Sequence, residues 1–318
     1  MSAITAQEAA QWLMARDRFL ILTHIRPDGD TIGCAAGLCA ALREQGKTAY
    51  VLENPDLNDI YAPYVGDYLA TEDFAPDFVV SVDIAAKGLF LENAQKYLDR
   101  VDLAIDHHPS QEFFAAQTCL DEKRAACGEI IYDIIRRWGP VSRAAALPLY
   151  VAIATDCGCF VYSNTDAACH RTAAALLDTG IDVFPINRKH FRTKTLKRLQ
   201  LEGMLTAEME VHDGGETAIV ALTLDMLKKT GAKQEDVDDI SAFVGQIAGV
   251  KTGVTIREMT GGRCKLSVRT APGDLDAGKV CALLGGGGHA AAAGAAVEGD
   301  VAAAKAAVLN AIAQVRHG

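Results

Sequence analysis

The stretch FLILTHIRPDGDTIG, residues 19–33, reads as a strand, a turn and the start of a helix. FLILTH (19–24) is a short apolar run and Pro27-Asp28-Gly29 forms the turn. A helix follows over about 31–45, with small residues at Gly33, Ala36 and Gly37 and a stop near Gly46. The alternation continues outward. TAYVL (48–52), FVVSVD (78–83) and LAIDHH (103–108) read as further strands, and 128–138, 144–155 and 166–179 as helices. This order predicts an α/β fold with a mainly parallel sheet flanked by helices.

The pattern changes after about residue 185. A basic stretch, NRKHFRTKTLKRLQ, leads into a hairpin with Asp213-Gly214-Gly215 at its turn. A second hairpin pairs 253–258 with 264–270. A helix near 275–284, a glycine run at 285–288 and an Ala-rich helix to the end complete the expectation. The chain is therefore divided into a first domain over 1–185, a linker helix over 186–205 and a smaller α/β domain over 206–318.

Of 318 residues half are hydrophobic, and a length prior of about 100–200 residues per domain agrees with two domains. No run approaches the roughly 18 apolar residues of a membrane span, so a cytoplasmic protein without membrane partners is expected. The nine cysteines are odd in number and lack zinc-finger spacing, which suits buried reduced thiols. Net charge is -10, from 31 Lys and Arg against 41 Asp and Glu. Such a surface repels a long duplex and fits small nucleotides better.

Four acidic or histidine clusters stand at predicted strand or helix ends: His24 with Asp28 and Asp30, then Asp83, then Asp106-His107-His108, then Asp156 after YVAIAT. In open α/β sheets ligands bind at the carboxyl ends of the strands. Taken singly, each has a plain reading as a turn or a packed polar residue. Jointly, if the three strands are parallel neighbours, they would gather carboxylates that only cations can compensate. Mixed His and carboxylate ligands suit Mn²⁺ better than Mg²⁺ or tetrahedral zinc. Two such ions about 3.5–4 Å apart can share a carboxylate, activate water and stabilise in-line displacement at phosphorus.

These residues resemble the DHH phosphoesterase superfamily, named for the motif present as Asp106-His107-His108. The first motif matches as T-H24-I-R-P-D28-G-D30-T-I-G33, the second as Asp83 closing VVSVD, and the fourth as A-T-D156-C-G158-C-F160. The segments S-V-R269-T and G285-G-G-G-H289-A-A-A-A-G294 look like the associated DHHA1 domain. The resemblance implies an N-terminal DHH domain, a C-terminal DHHA1 domain and an active site in the cleft between them.

By matching position, the family pattern implies His24 and Asp28 on one metal, Asp30, His107 and Asp156 on the other, and Asp83 bridging. His108 would meet the scissile phosphate or the leaving group, and Asp106 would orient the neighbouring imidazole. Arg269, Gly286, Gly287, Gly288, His289 and Gly294 would bind substrate. Two positions depart from the pattern: Cys34 stands where serine is usual and Cys157 where threonine is usual. A thiolate site from Cys157 and Cys159 is disfavoured against packing. The basic residues Arg188, Lys189, Arg192, Lys194, Lys197 and Arg198 read first as a solvated linker face.

Within the superfamily, one DHH and one DHHA1 domain look most like the group that hydrolyses RNA or DNA oligonucleotides of a few residues to 5'-mononucleotides and removes the 3'-phosphate of pAp. Action on cyclic dinucleotides or linear pApA is the nearest alternative. Inorganic pyrophosphatase and a non-catalytic nucleotide- or RNA-binding module are more distant. A homodimer is compatible with this group.

Overall fold

The computed structural model describes residues 2–237, 240–271 and 273–317. It forms two compact units that divide between Thr193 and Lys194.

The first unit is built on six strands: β1 (Ser2–Ala3), β2 (Phe19–Leu22), β3 (Ala49–Val51), β4 (Phe78–Val82), β5 (Leu103–Asp106) and β6 (Gln117–Leu120). All pair in parallel, in the order β1-β6-β5-β4-β2-β3. Apart from the half-buried Phe78, the β2, β4 and β5 side chains are buried on both faces, which explains why their sequences are largely apolar runs. Phe19, Ile21, Val80, Val82 and Ile105 face one core, while Leu20, Leu22, Val79 and Ala104 face another.

Among the described residues seven α-helices accompany this sheet: α1 (Ala6–Met14), α2 (Gly29–Glu44), α3 (Ala62–Val65), α4 (Cys127–Ile135), α5 (Arg143–Asp156), α6 (Ala167–Leu177) and α7 (Phe184–Asn187). Asp28 caps α2, its carboxylate accepting from the backbone N–H groups of Asp30 and Thr31. The α2 glycines let it lie against α5 at backbone distance. A Cβ on Gly33 would fall 2.3 Å from the Pro148 carbonyl oxygen, and one on Gly29 would fall 2.2 Å from Thr155 Oγ1. This crossing brings the first turn of α2, with Asp30, beside the last turn of α5, with Asp156.

The second unit holds β7 (Glu210–His212), β8 (Thr217–Leu222), β9 (Thr252–Met259), β10 (Arg263–Thr270), β11 (Gly287–His289) and β12 (Ala292–Glu298). The order is β11-β12-β10-β9-β8-β7, with β8 and β9 the parallel pair among antiparallel neighbours. Helices α8 (Leu196–Ala207), α9 (Leu224–Thr230), α10 (Ala277–Ala282) and α11 (Val301–His317) pack with it. Both expected hairpins form.

The Ala-rich segment departs from expectation. Residues 292–298 form a strand, and helix begins only at Val301. Alanine's helix preference is worth under about 1 kcal/mol per residue against most residues. Here β12 pairs with β10 from Arg263↔Glu298 through Arg269↔Ala292, and Ala293 and Ala295 are buried against α10 and α11. Ladder and core together outweigh the local preference. Among the described residues no helix is long and apolar enough to cross a membrane.

The α2–α5 crossing is testable. Gly33→Val presses a side chain on a backbone carbonyl that cannot rotate away, so urea denaturation should show a loss of about 2 kcal/mol or more. Gly66→Ala, in open space and right-handed helical backbone, should shift stability by less than about 1 kcal/mol.

Candidate metal centre

Because β2, β4 and β5 are adjacent and in register, their carboxyl ends open on one edge of the sheet. His24 and Asp83 follow β2 and β4, and Asp106, His107 and His108 close β5 and begin its loop. Asp30 and Asp156 arrive from α2 and α5. All six expected ligands meet at this edge, in two groups: His24, Asp28 and Asp83, and Asp30, His107 and Asp156. A third group joins Asp83 to His107 and His108.

Asp83 stands between the groups. Its Oδ2 lies 3.6 Å from His24 Nε2, and its Oδ1 lies 3.6 Å from His107 Nε2 and 3.4 Å from His108 Nδ1. His24 Nε2 is 3.7 Å from Asp28 Oδ1, and His107 Nε2 is 3.7 Å from both Asp30 Oδ2 and Asp156 Oδ2. These spacings exceed hydrogen-bond length but suit ligand atoms around a shared ion. The buried Asp83 Oδ1 has no hydrogen-bond partner, an orphan that a cation would satisfy.

Hydrogen bonds fix the imidazoles in complementary ways. His24 Nδ1 donates to the Ile25 carbonyl at 2.8 Å and His107 Nδ1 to the Arg124 carbonyl at 3.1 Å, so both present Nε2 to the carboxylates. His108 is held differently: its Nδ1 meets Asp106 Oδ1 at 2.8 Å. Asp106, fully buried, also accepts from the His107 and His108 backbone N–H groups and from Gln111 Nε2. It therefore orients the ring of His108, while a carbonyl orients that of His107.

Gln111, Asn54 and the Arg124 carbonyl escaped sequence reading. Gln111 joins Asp106 to the Ile84 carbonyl, and Asn54 Nδ2 donates to Thr23 Oγ1 and to the His24 carbonyl. Arg124 is held by Asp121, Glu129 and Asp133. Their signal was only a polar residue in a loop near a motif. Backbone strain also gathers here, since Arg26, Asp83, Cys159 and Phe160 all have positive φ. Each such non-glycine residue costs about 1–2 kcal/mol, which surrounding contacts must offset.

The electrostatics state what the edge can hold. Burial, then the charges of Asp83 and Asp156, pushes Asp30 well above the usual carboxylate range. Burial raises Asp83 as well, against the opposing pull of His24, and raises Asp156 to about 6. Burial would lower His24, but the neighbouring carboxylates of Asp28 and Asp83 lift it to about 10. Asp106 raises His108 to about 9, against burial. Without cations this edge keeps protons; divalent ions can replace them.

Neither unusual cysteine disturbs the ligands. Cys34 Sγ donates to Asp30 Oδ1 at 3.2 Å, a link a serine would also make. Cys157 is buried with its thiol on the Ile153 carbonyl, and among the described residues the ligand groups contain no cysteine. The other expected contacts lie in the second unit. Arg269 and His289 both pair across from Ala292, so they share one face and one row of the sheet. Cβ atoms on Gly286 and Gly288 would strike β12 itself, whereas Gly287 faces open space. Gly286 and Gly288 are thus required by strand packing, and Gly294 pairs with Gly287. Arg198 is buried and bonded to Glu202 and the Asp236 carbonyl, unlike a solvated linker residue.

Residues 18–157 match the DHH family, N-terminal domain, and residues 215–316 match the DHHA1 domain. The chain is 31% identical over 287 residues to the bifunctional oligoribonuclease and PAP phosphatase NrnA of Thermus thermophilus, covering 88% of this chain and 84% of that protein. The chain belongs to the DHH phosphoesterase family. The Bacillus subtilis NrnA is 25% identical, covering 88% of this chain and 90% of that protein. An exopolyphosphatase-related protein from Bacteroides fragilis shares the DHH–DHHA1 fold with TM-score 0.85 and 26% identity, covering 97% of this chain and 96% of that one.

Metal uptake by this DHH protein should release protons. His24, raised to about 10, is charged at pH 7 without cations and must become neutral to ligate. Apparent Mn²⁺ affinity should therefore fall as pH is lowered. Calorimetry at pH 7 in two buffers of different ionisation enthalpy should give different heats, and equal heats would contradict the assignment.

Proposed function

We propose that this chain is a two-metal phosphoesterase that hydrolyses short oligonucleotides to 5'-mononucleotides and removes the 3'-phosphate of pAp. The observation that carries this reading is Asp83, one buried carboxylate shared by two ligand groups and left with an unpartnered oxygen. The names of the NrnA relatives support the substrate class.

His24, Asp28 and Asp83 would hold one divalent ion, and Asp83, Asp30, His107 and Asp156 the other. Mn²⁺ best fits this mixed donor set. When bound, the two cations supply activation of water and the positive charge that stabilises in-line displacement at phosphorus. His108 does the remaining acid work. Asp106 holds its Nδ1 and favours the cationic ring, which leaves a half-exposed Nε2–H to donate to a phosphate oxygen or to the departing ester oxygen. Gln111 keeps Asp106 in place for that task.

Asp83→Asn provides the test of the shared ligand. Asparagine tolerates the left-handed backbone of this position, with φ of 58°, so the fold should persist. Turnover of pAp in Mn²⁺ should disappear. In wild type, Mn²⁺ at 100 times its Kd should add about 2.7 kcal/mol of stability, and the variant should lose that gain. Retained turnover would refute the assigned centre.

The net charge of -10 supports short substrates. A 5-mer RNA should be degraded at least about tenfold faster than a 40-mer at equal end concentration, and equal rates would remove the length limit.

A further inference from the structure

Directly after Asp156 the backbone makes an uncommon turn. Gly158, Cys159 and Phe160 follow one another in the left-handed region, with φ of 56°, 55° and 68°. The loop closes on its own start. Val161 and Tyr162 N–H groups both donate to the Cys157 carbonyl, at 3.0 and 3.1 Å, and Asn164 Nδ2 donates to the carbonyls of Asp156 and Ala125. Phe160 anchors the turn by stacking on His170, with ring centroids 5.0 Å apart.

This turn presents two large apolar residues to solvent, Val161 at 80% and Tyr162 at 58% exposure. The tyrosine is not loose. Its ring lies on Gly158, where a Cβ would fall 2.5 Å from Cε1 and Cζ, and its carbonyl accepts from the Thr165 N–H. One side of the ring is seated on backbone and the rest is open. Covering Gly158 does not account for so much exposed aromatic surface, or for a strained turn that fixes it six residues from Asp156. Arg192, itself exposed, lies within electrostatic reach of Cys159 on the same loop and adds positive charge there.

We propose that Tyr162 is the nucleobase platform of the phosphoesterase site, stacking on the base whose phosphate is carried to the Asp156 edge. The proposal rests on the phosphoesterase reading and narrows its substrates to base-bearing esters rather than inorganic phosphate chains. Every base has a π face, so stacking of this kind tolerates any sequence while rejecting a ligand without a base.

Steady-state kinetics on pAp and on ribose 3',5'-bisphosphate, which lacks the base, should be compared in wild type, Tyr162→Ala and Tyr162→Phe. Wild type should prefer pAp. Tyr162→Ala should raise KM for pAp by about 5- to 100-fold, collapsing that preference with kcat little moved, and Tyr162→Phe should restore it. Equal losses on both substrates, or an undiminished preference in Tyr162→Ala, would overturn the platform. Calorimetric binding of AMP to the same three proteins reads the stacking without turnover. Tyr162-dependent AMP binding without hydrolysis of either ester would leave the platform standing and sink the enzyme reading. AMP binding indifferent to Tyr162→Ala would sink the platform even if hydrolysis is normal.

Discussion

Mutual repulsion among Asp28, Asp30, Asp83 and Asp156 is the constraint around which the first unit is organised. Four carboxylates gathered at a sheet edge, three of them pushed toward their protonated forms, are unfavourable in isolation. Two neighbouring histidines, His24 and His108, compensate by staying cationic. Such an arrangement persists because the surrounding fold holds it and because divalent ions can replace the protons.

That fold does so by fixing the position of each of these side chains. Parallel register aligns three strand ends, and the glycine face of α2 lets α5 come close enough to deliver Asp156 beside Asp30. Backbone groups then fix the imidazoles, and left-handed residues at Arg26, Asp83, Cys159 and Phe160 turn the loops sharply beside the ligands. Strain and charge are concentrated together, while the apolar strands beneath supply the burial that offsets both.

The second unit illustrates the opposite economy. Its glycines serve the chain's own packing at Gly286 and Gly288, whereas Gly287 leaves backbone open to a ligand. Arg269 and His289 acquire a shared face because β12 lies between their strands. A motif that reads as one ligand-binding run is thus divided by the sheet into residues that build it and residues that can reach outward.

The sequence by itself determined the alternation of strand and helix, the two hairpins, and the acidic and histidine residues at element ends, because periodicity and turn chemistry are local properties. Only the tertiary structure decided which of those ends meet. The parallel order places His24, Asp83 and His107 together, and the α2–α5 crossing adds Asp156. It also assigned Asp106 to the His108 ring, revealed Gln111 and Asn54 as anchors, and turned an alanine run with helical preference into strand. Apart from the local bonds to Asp106, the deciding contacts join residues far apart in the chain, and local spacing carries no record of the partner.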